Sequence, residues 1–342
     1  MFSKNNLYIT SNDFSSLCDF VYSDRVEFNH SRFEDVEILE KSEDPTFSYV
    51  IYKKTKFKIT NNDTVFCNSN QLDNLFYHLR KTRKLQNINL VSHQTDLLVT
   101  KKLFNTRPKC INKWFAVNVD YKHKDLIPIP VGIASNFSKK NLNSSNFNEF
   151  NKHNFLKKPL SMYINFQKNT NHKERGKIYK LFQDEKWVKI DNPNLSKESY
   201  IKNLETSSFV LCPWGNGIDT HRLWESLYAG SIPITKEHTT YDYRGKLPIL
   251  FVKDYSDINY ELLSNFLSTF DLDTYNFDLL TKEYWKKTLL NSREIEDEYE
   301  TFEEKLIVKN LFKIKRFLRK KFNSILKKFT SFKNKAIRKL GF

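Results

Sequence analysis

The chain has 342 residues, 39% of them hydrophobic and 15% aromatic, and a net charge of +16. That apolar content supports a sizeable core and excludes a disordered or fibrous polypeptide, and the length suits two domains. Cys18, Cys67, Cys110 and Cys212 lie far apart and form no Cys-x-x-Cys pair, which argues against a zinc site or a secreted disulfide framework and for a reducing compartment.

Met1-Phe-Ser-Lys-Asn-Asn lacks a basic segment followed by an apolar core, and no window reaches the roughly 18 apolar residues of a spanning helix. The expectation is therefore a cytoplasmic protein without a signal peptide. Residues 1–150 break into short apolar segments between polar turns: Leu7 to Ile9, Tyr49 to Tyr52, Thr64 to Cys67, Asn89 to Ser92, Trp114 to Val119 and Ile127 to Val131. A helical period runs through Leu72, Leu75, Phe76 and Leu79, and the alternation predicts an open α/β domain. Val91-Ser-His-Gln-Thr-Asp96 follows an apolar strand and offers two titratable groups, His93 and Asp96. Either suits general-base work near neutral pH if it faces a ligand, and either fits equally as a turn residue. The polar stretch Ser138 to Asn154, rich in Asn, Ser and Lys, reads as a linker.

A second domain over residues 155–290 starts with a strand, Leu160 to Phe166, and continues through a polar loop into a helix carrying Arg175, Ile178 and Leu181. Trp187 to Ile190 predicts the next strand and Lys197 to Glu205 the next helix. The order of strand and helix is that of a doubly wound sheet. Helical patterns near Tyr260 to Phe270 and Leu279 to Leu290 complete it.

The most informative stretch runs from Phe209 to Ile234. Phe209 to Leu211 reads as a buried strand, a Pro/Gly turn follows, and Asp219 stands where an N-cap belongs, ahead of a helix from about Thr220 to Ala229 that stops at Gly230. Leu223 and Leu227 share one face of that helix, and Arg222 and Glu225 share another. Gly215 and Gly217 flank Asn216 and let a bare backbone approach a ligand, and the helix N-terminus suits a phosphate. Arg222 adds a forked cation, while Glu225 suits a pair of ribose or sugar hydroxyls. A plain strand-helix-strand unit with an Arg222–Glu225 surface ion pair accounts for the same residues without a ligand.

At Leu211, Pro213, Gly217, Asp219, Arg222, Glu225, Ser226-Leu227, Gly230 and Ile232-Pro233-Ile234, the chain resembles the exostosin-like glycosyltransferases of the GT-B fold. The resemblance implies two Rossmann-like domains facing across a cleft, with an acceptor side in residues 1–150. It implies a nucleoside-diphosphate sugar held by Gly215, Asn216, Gly217, Asp219, Arg222 and Glu225, with Arg222 on the diphosphate and Glu225 on the ribose. Arg175 becomes a second phosphate ligand on the same ground, or else a solvated helix-start cation. Ile127-Pro-Ile-Pro-Val-Gly-Ile133 resembles the Ile-Pro-Ile-Gly loop of related enzymes, with Gly132 permitting close approach to acceptor or donor; a kinked strand exit fits it equally. Asp96 or His93 would deprotonate a glycan or lipid-linked acceptor. Inversion at the anomeric carbon follows from the resemblance alone. No metal or other cofactor is expected, because Arg222 and the helix end supply the positive charge. Asp271-Leu-Asp273 has the spacing of a metal-binding pair but lacks the strand context.

Residues 291–342 form a helical region with a basic tail. After Glu304 there are 14 Lys or Arg and no acidic residue, so nearly all of the net charge lies there. Ile307, Leu311, Ile314, Leu318, Phe322, Ile325, Phe329 and Phe332 recur every three or four residues, the period of one helical face. A cationic amphipathic helix of this kind is expected at an anionic membrane surface. Docking on the protein's own body and nucleic-acid binding are the alternatives. The combined expectation is a peripheral-membrane glycosyltransferase of cell-surface polysaccharide or lipopolysaccharide synthesis. The rival readings are a basic nucleic-acid-binding α/β protein and a non-catalytic phosphate-binding module that recruits partners to membranes.

Overall fold

The structure is a computed structural model describing residues 7–23, 36–43, 48–54, 56–135, 141–242, 246–290, 300–303 and 305–339. The first half runs α1 (Ser11–Leu17), β1 (Phe20–Tyr22), β2 (Val36–Glu43), β3 (Ser48–Lys54), β4 (Lys56–Ile59), β5 (Thr64–Asn68), α2 (Leu72–Leu79), β6 (Ile88–His93), β7 (Val99–Thr100), α3 (Lys101–Phe104), β8 (Ile111–Ala116), β9 (Val119–Asp120) and β10 (Leu126–Pro128). The second runs β11 (Met162–Ile164), α4 (His172–Arg175), α5 (Ile178–Phe182), β12 (Val188–Ile190), α6 (Lys197–Thr206), β13 (Phe209–Leu211), α7 (His221–Tyr228), β14 (Ile232–Lys236), β15 (Leu250–Val252), α8 (Tyr260–Ser268) and α9 (Lys282–Leu289). β16 (Glu300–Glu303) and α10 (Leu306–Lys339) follow.

Two parallel five-stranded sheets organise the chain. The first has the order β1-β5-β6-β8-β10, so each strand is added on the same side of the last. With right-handed crossovers, such an order sends its helices to one face. Phe20, Tyr22, Val65, Cys67, Leu90 and Trp114 line that face with Leu72, Leu75, Phe76 and Leu79 of α2. The alternate residues Val21, Phe66, Val91 and Phe115 point the other way, as a two-residue period requires, and join one core shared with the second sheet.

This second face is covered by α1 and by α9, which returns from the far end of the second half. The Leu289 carbonyl accepts from Thr64 Oγ1 and Asn89 Nδ2, and Lys282 Nζ lies 2.8 Å from Asp13 Oδ1. The stretch expected as a linker also packs into the shared core through Leu142, Phe147 and Phe150, its residues 138–140 lying outside the described ones.

The second sheet has the order β12-β11-β13-β14-β15, which in chain order is the doubly wound 2-1-3-4-5. Its topological switch point falls between β11 and β13, and sheets of this kind take their ligands outside the carboxyl ends of the strands at such a point. Pro233 lies in β14, yet pairing with β15 begins only at Ile234, so its missing N–H removes no bond from that ladder. The helix expected through Arg175 is instead two short pieces, α4 and α5, interrupted at Gly176 and Lys177.

Candidate functional site at the carboxyl ends of the second sheet

α7 begins beside the switch point and separates its residues by face. Leu223 and Leu227 are fully buried against β14 and the core, while Arg222 and Glu225 turn toward α6. Glu225 is 6% exposed, and its Oε2 accepts from the Tyr200 hydroxyl at 2.8 Å. The Arg222 guanidinium stands 5.8 Å from the centre of the Tyr200 ring. Its Nε is buried with no hydrogen-bond partner, as are Thr220 Oγ1 and Trp214 Nε1 just upstream. Among the described residues no ion pair joins Arg222 to Glu225, so the surface-pair reading of this helix fails. Buried donors are almost always bonded, so this guanidinium nitrogen beside a helix N-terminus is the candidate position for an anion.

Asp219 plays a different part from the one its sequence position suggests. Thr220 is the N-cap, and its side chain makes no capping bond. The Asp219 carboxylate is 4% exposed and fully engaged, accepting from Val131 N at 2.7 Å, Thr220 N at 2.9 Å and Trp224 Nε1 at 2.9 and 3.0 Å. Its pKa is pushed up to about 6 by burial, against which the Val131 and Trp224 bonds work. With no acceptor capacity facing outward, this carboxylate braces the first half against α7 rather than offering itself to a donor.

Arg175 is likewise bonded to the chain itself. It is 5% exposed, and its guanidinium donates to the carbonyls of Pro213, Trp214 and Gln167 and to Thr170 Oγ1. Burial lowers its pKa to about 10, with Arg222 adding to the shift. It ties the loop after β11 to the loop after β13. Asn171 Nδ2 adds a bond to the Gly215 carbonyl, while Asn165 Nδ2 donates to Asn192 O. A Cβ on Gly215 would lie 3.1 Å from Arg175 Nη2, so the glycine allows that packing. Asn216, between the two glycines, is exposed.

The first half meets this loop through Asp96 and Asn118. A Cβ on Gly217 would lie 2.9 Å from Asn118 Nδ2 and 3.1 Å from Asp96 Oδ1, so the close approach this glycine permits is to those side chains. Asn118, at φ 57, accepts from Ile218 N at 2.8 Å and Asp219 N at 2.9 Å. Asp96 is exposed, its pKa raised by partial burial and drawn back by His221. His221 opens α7, and its Nδ1 lies 2.7 Å from the Gly132 carbonyl, which can only accept, so Nδ1 donates. Neither Asn118 nor His221 is picked out by the sequence reading. The signal for Asn118 is a lone amide in an apolar strand exit, where left-handed backbone favours Asn.

His93 does not meet the requirements of a base. It is 1% exposed, its Nε2 donates to Pro130 O at 3.0 Å, and its Nδ1 accepts from Gln94 N at 2.7 Å. Burial lowers its pKa to about 3, which the Pro130 bond only partly offsets. Taking a proton would break the Gln94 bond. Gly132 has φ +67, and its added Cβ would fall 2.1 Å from Ile9 O, so its close approach is to the chain's own N-terminal segment. Asp271 caps a short turn by accepting from Asp273 N, and Asp273 pairs with Lys152 at 3.2 Å. Among the described residues no three His, Cys, Asp or Glu side chains gather as metal ligands.

Residues 164–270 match the family model described as the RXYLT1 C-terminal domain. The match runs from the last residue of β11 to just past α8, and so takes in Arg175, the glycine loop, Arg222 and Glu225, while Asp96 and His93 lie outside it. No curated protein matches the chain. The match covers less than a third of the chain, and it points to a glycosyltransferase.

Proposed function

We propose that the protein transfers a sugar from a nucleoside-diphosphate sugar to a hydroxyl of a glycan or lipid-linked acceptor, as a GT-B enzyme with its site between two Rossmann-like halves. The observation that carries this reading is the buried Arg222 Nε, without a partner, in the first turn of α7 at a topological switch point. The guanidinium and the α7 N-terminus meet the diphosphate, and Glu225, held by Tyr200, faces the ribose. Asp96, on the acceptor side of Gly217, takes the acceptor proton. The acceptor oxygen then bonds to the anomeric carbon as the sugar's bond to the diphosphate breaks, and the released electron pair stays on the diphosphate. Arg222 and the helix dipole stabilise that charge, so the proposed step runs without a metal. Inversion of the anomeric centre and a place in cell-surface polysaccharide or lipopolysaccharide synthesis complete the proposal; both rest on the family resemblance.

The test is a thermal-shift panel of uridine, guanosine and cytidine diphosphate sugars on the wild type and on Arg222→Ala. One donor raises the wild-type melting temperature and supports turnover. The variant melts at or near the unliganded wild-type temperature and loses the shift. A wild type that responds to no nucleotide sugar, or an Arg222→Ala protein that responds as the wild type does, overturns the proposal.

A further inference from the structure

α10 leaves β16 and runs along the outer side of α2. Its contact face is narrow: Lys309 is buried, Val308, Phe312 and Arg316 are half-buried, the Phe312 ring lies 6.2 Å from that of Tyr77, and Arg316 Nη1 donates to Asn70 O at 2.6 Å. At 3.6 residues per turn, Ile307, Leu311, Ile314, Leu318, Phe322 and Ile325 centre about 140° round the helix from that face. These six are between 44% and 77% exposed. The stripe therefore does not dock on the protein's own body, and α2 holds it outward. Phe329 and Phe332 of the expected stripe lie outside the described side chains.

We infer that this face of α10 is a docking surface for an anionic lipid bilayer, on which the helix lies flat. Two observations choose this occupant. Lys315 borders the stripe on one side and Lys321 on the other, and no acidic residue follows Glu304 anywhere in the sequence. Apolar rings and aliphatic chains flanked by ammonium groups fit the boundary between acyl chains and acidic headgroups. A second copy of α10 on the same face would set cations against cations, with no acidic side chain to pair across the seam. A nucleic-acid strand would satisfy the charge and leave six exposed apolar side chains in water. Among the described residues no helix is long and apolar enough to cross a membrane, which agrees with a helix lying on the surface.

The full chain is tested by co-sedimentation with vesicles of phosphatidylcholine alone and with a third of phosphatidylglycerol. A triple variant, Leu311→Ser, Leu318→Ser and Phe322→Ser, changes only exposed positions, so its circular dichroism and melting temperature should match the wild type. Expected is binding to the anionic vesicles at least tenfold stronger than to the neutral ones, and a loss of at least tenfold in the triple variant. Wild-type chain that stays in the supernatant overturns the inference. So does variant binding equal to wild type, since charge alone would then account for it. A wild-type dimer that the triple variant converts to monomer, with no vesicle binding in either, assigns the face to a second copy and equally overturns it. None of these outcomes depends on the nucleotide-sugar reading.

Discussion

Two guanidinium groups stand at the carboxyl ends of the second sheet, and they differ in how much of their hydrogen bonding is spent. Arg175 donates to three carbonyls and a hydroxyl, so its charge is already committed to the loops it joins. Arg222 has a buried Nε with no partner, and leaving such a donor unbonded costs about 1–3 kcal/mol. A donor diphosphate bound as proposed would remove that cost. The same distinction separates the two candidate bases. His93 is held neutral down to about pH 3, chiefly by burial, so an activity inflection nearer neutrality cannot arise from it. Asp96 is open, its pKa raised by burial, and it acts as a base only when ionised. Turnover should therefore rise with pH through that raised value and then level. Asp96→Asn should flatten the rise and lower kcat by about 10²–10⁴ with donor-induced thermal shift retained, whereas His93→Asn should keep the rise wherever it folds. An Asp96→Asn enzyme with wild-type kcat would move the base elsewhere.

At the scale of elements, the loops rather than the helices decide how the halves meet. The loop after β10 is pinned from three directions: Asp219 accepts from Val131 N, His221 donates to Gly132 O, and Ile9 packs against Gly132. Gly132→Ala would force a β-carbon into left-handed backbone, costing about 1–2 kcal/mol, and would press it 2.1 Å from Ile9 O. The variant should lose several degrees of melting temperature, measured by calorimetry, and an unchanged melting temperature would show that the segment at Ile9 is not packed there. The sequence made much of this readable. The motif from Phe209 to Ile234 predicts β13, α7 and β14 within a residue or so, because a buried strand, a Pro/Gly turn and an amphipathic helix each leave a local pattern. Leu72, Leu75, Phe76 and Leu79 likewise predict α2, and all four are buried. The roles of Asp219, Arg175 and His93 were not legible, since each depends on at least one partner 37 to 88 residues away. β15 and α1 were missed too: one is three residues long, and the other is defined by the capping box of Thr10 and Asp13 rather than by an apolar period.

At the scale of the whole molecule, the division into residues 1–150 and 155–290 is cut across by the core. One face of the first sheet and strands β11, β13, β14 and β15 of the second share a single buried cluster, with β12 packed against it. α9 closes over the first sheet, and Tyr228 at the end of α7 accepts from Ile9 N and donates to Leu280 O. Unfolding either sheet alone would expose the apolar face of the other and strand the Asp219 carboxylate without its Val131 partner. Burial at about 25 cal/mol per Å² makes such a half-unfolded state costly compared with full unfolding. Calorimetry should therefore show one transition with equal van't Hoff and calorimetric enthalpies. A donor that contacts only the second sheet and Asp96 should then shift that whole transition, by about 2.7 kcal/mol at a hundredfold excess over Kd. Two transitions, of which the donor moves only the later, would mean that the shared core does not couple the halves. In that case Asp96 and Arg222 would be brought together only when a ligand spans them.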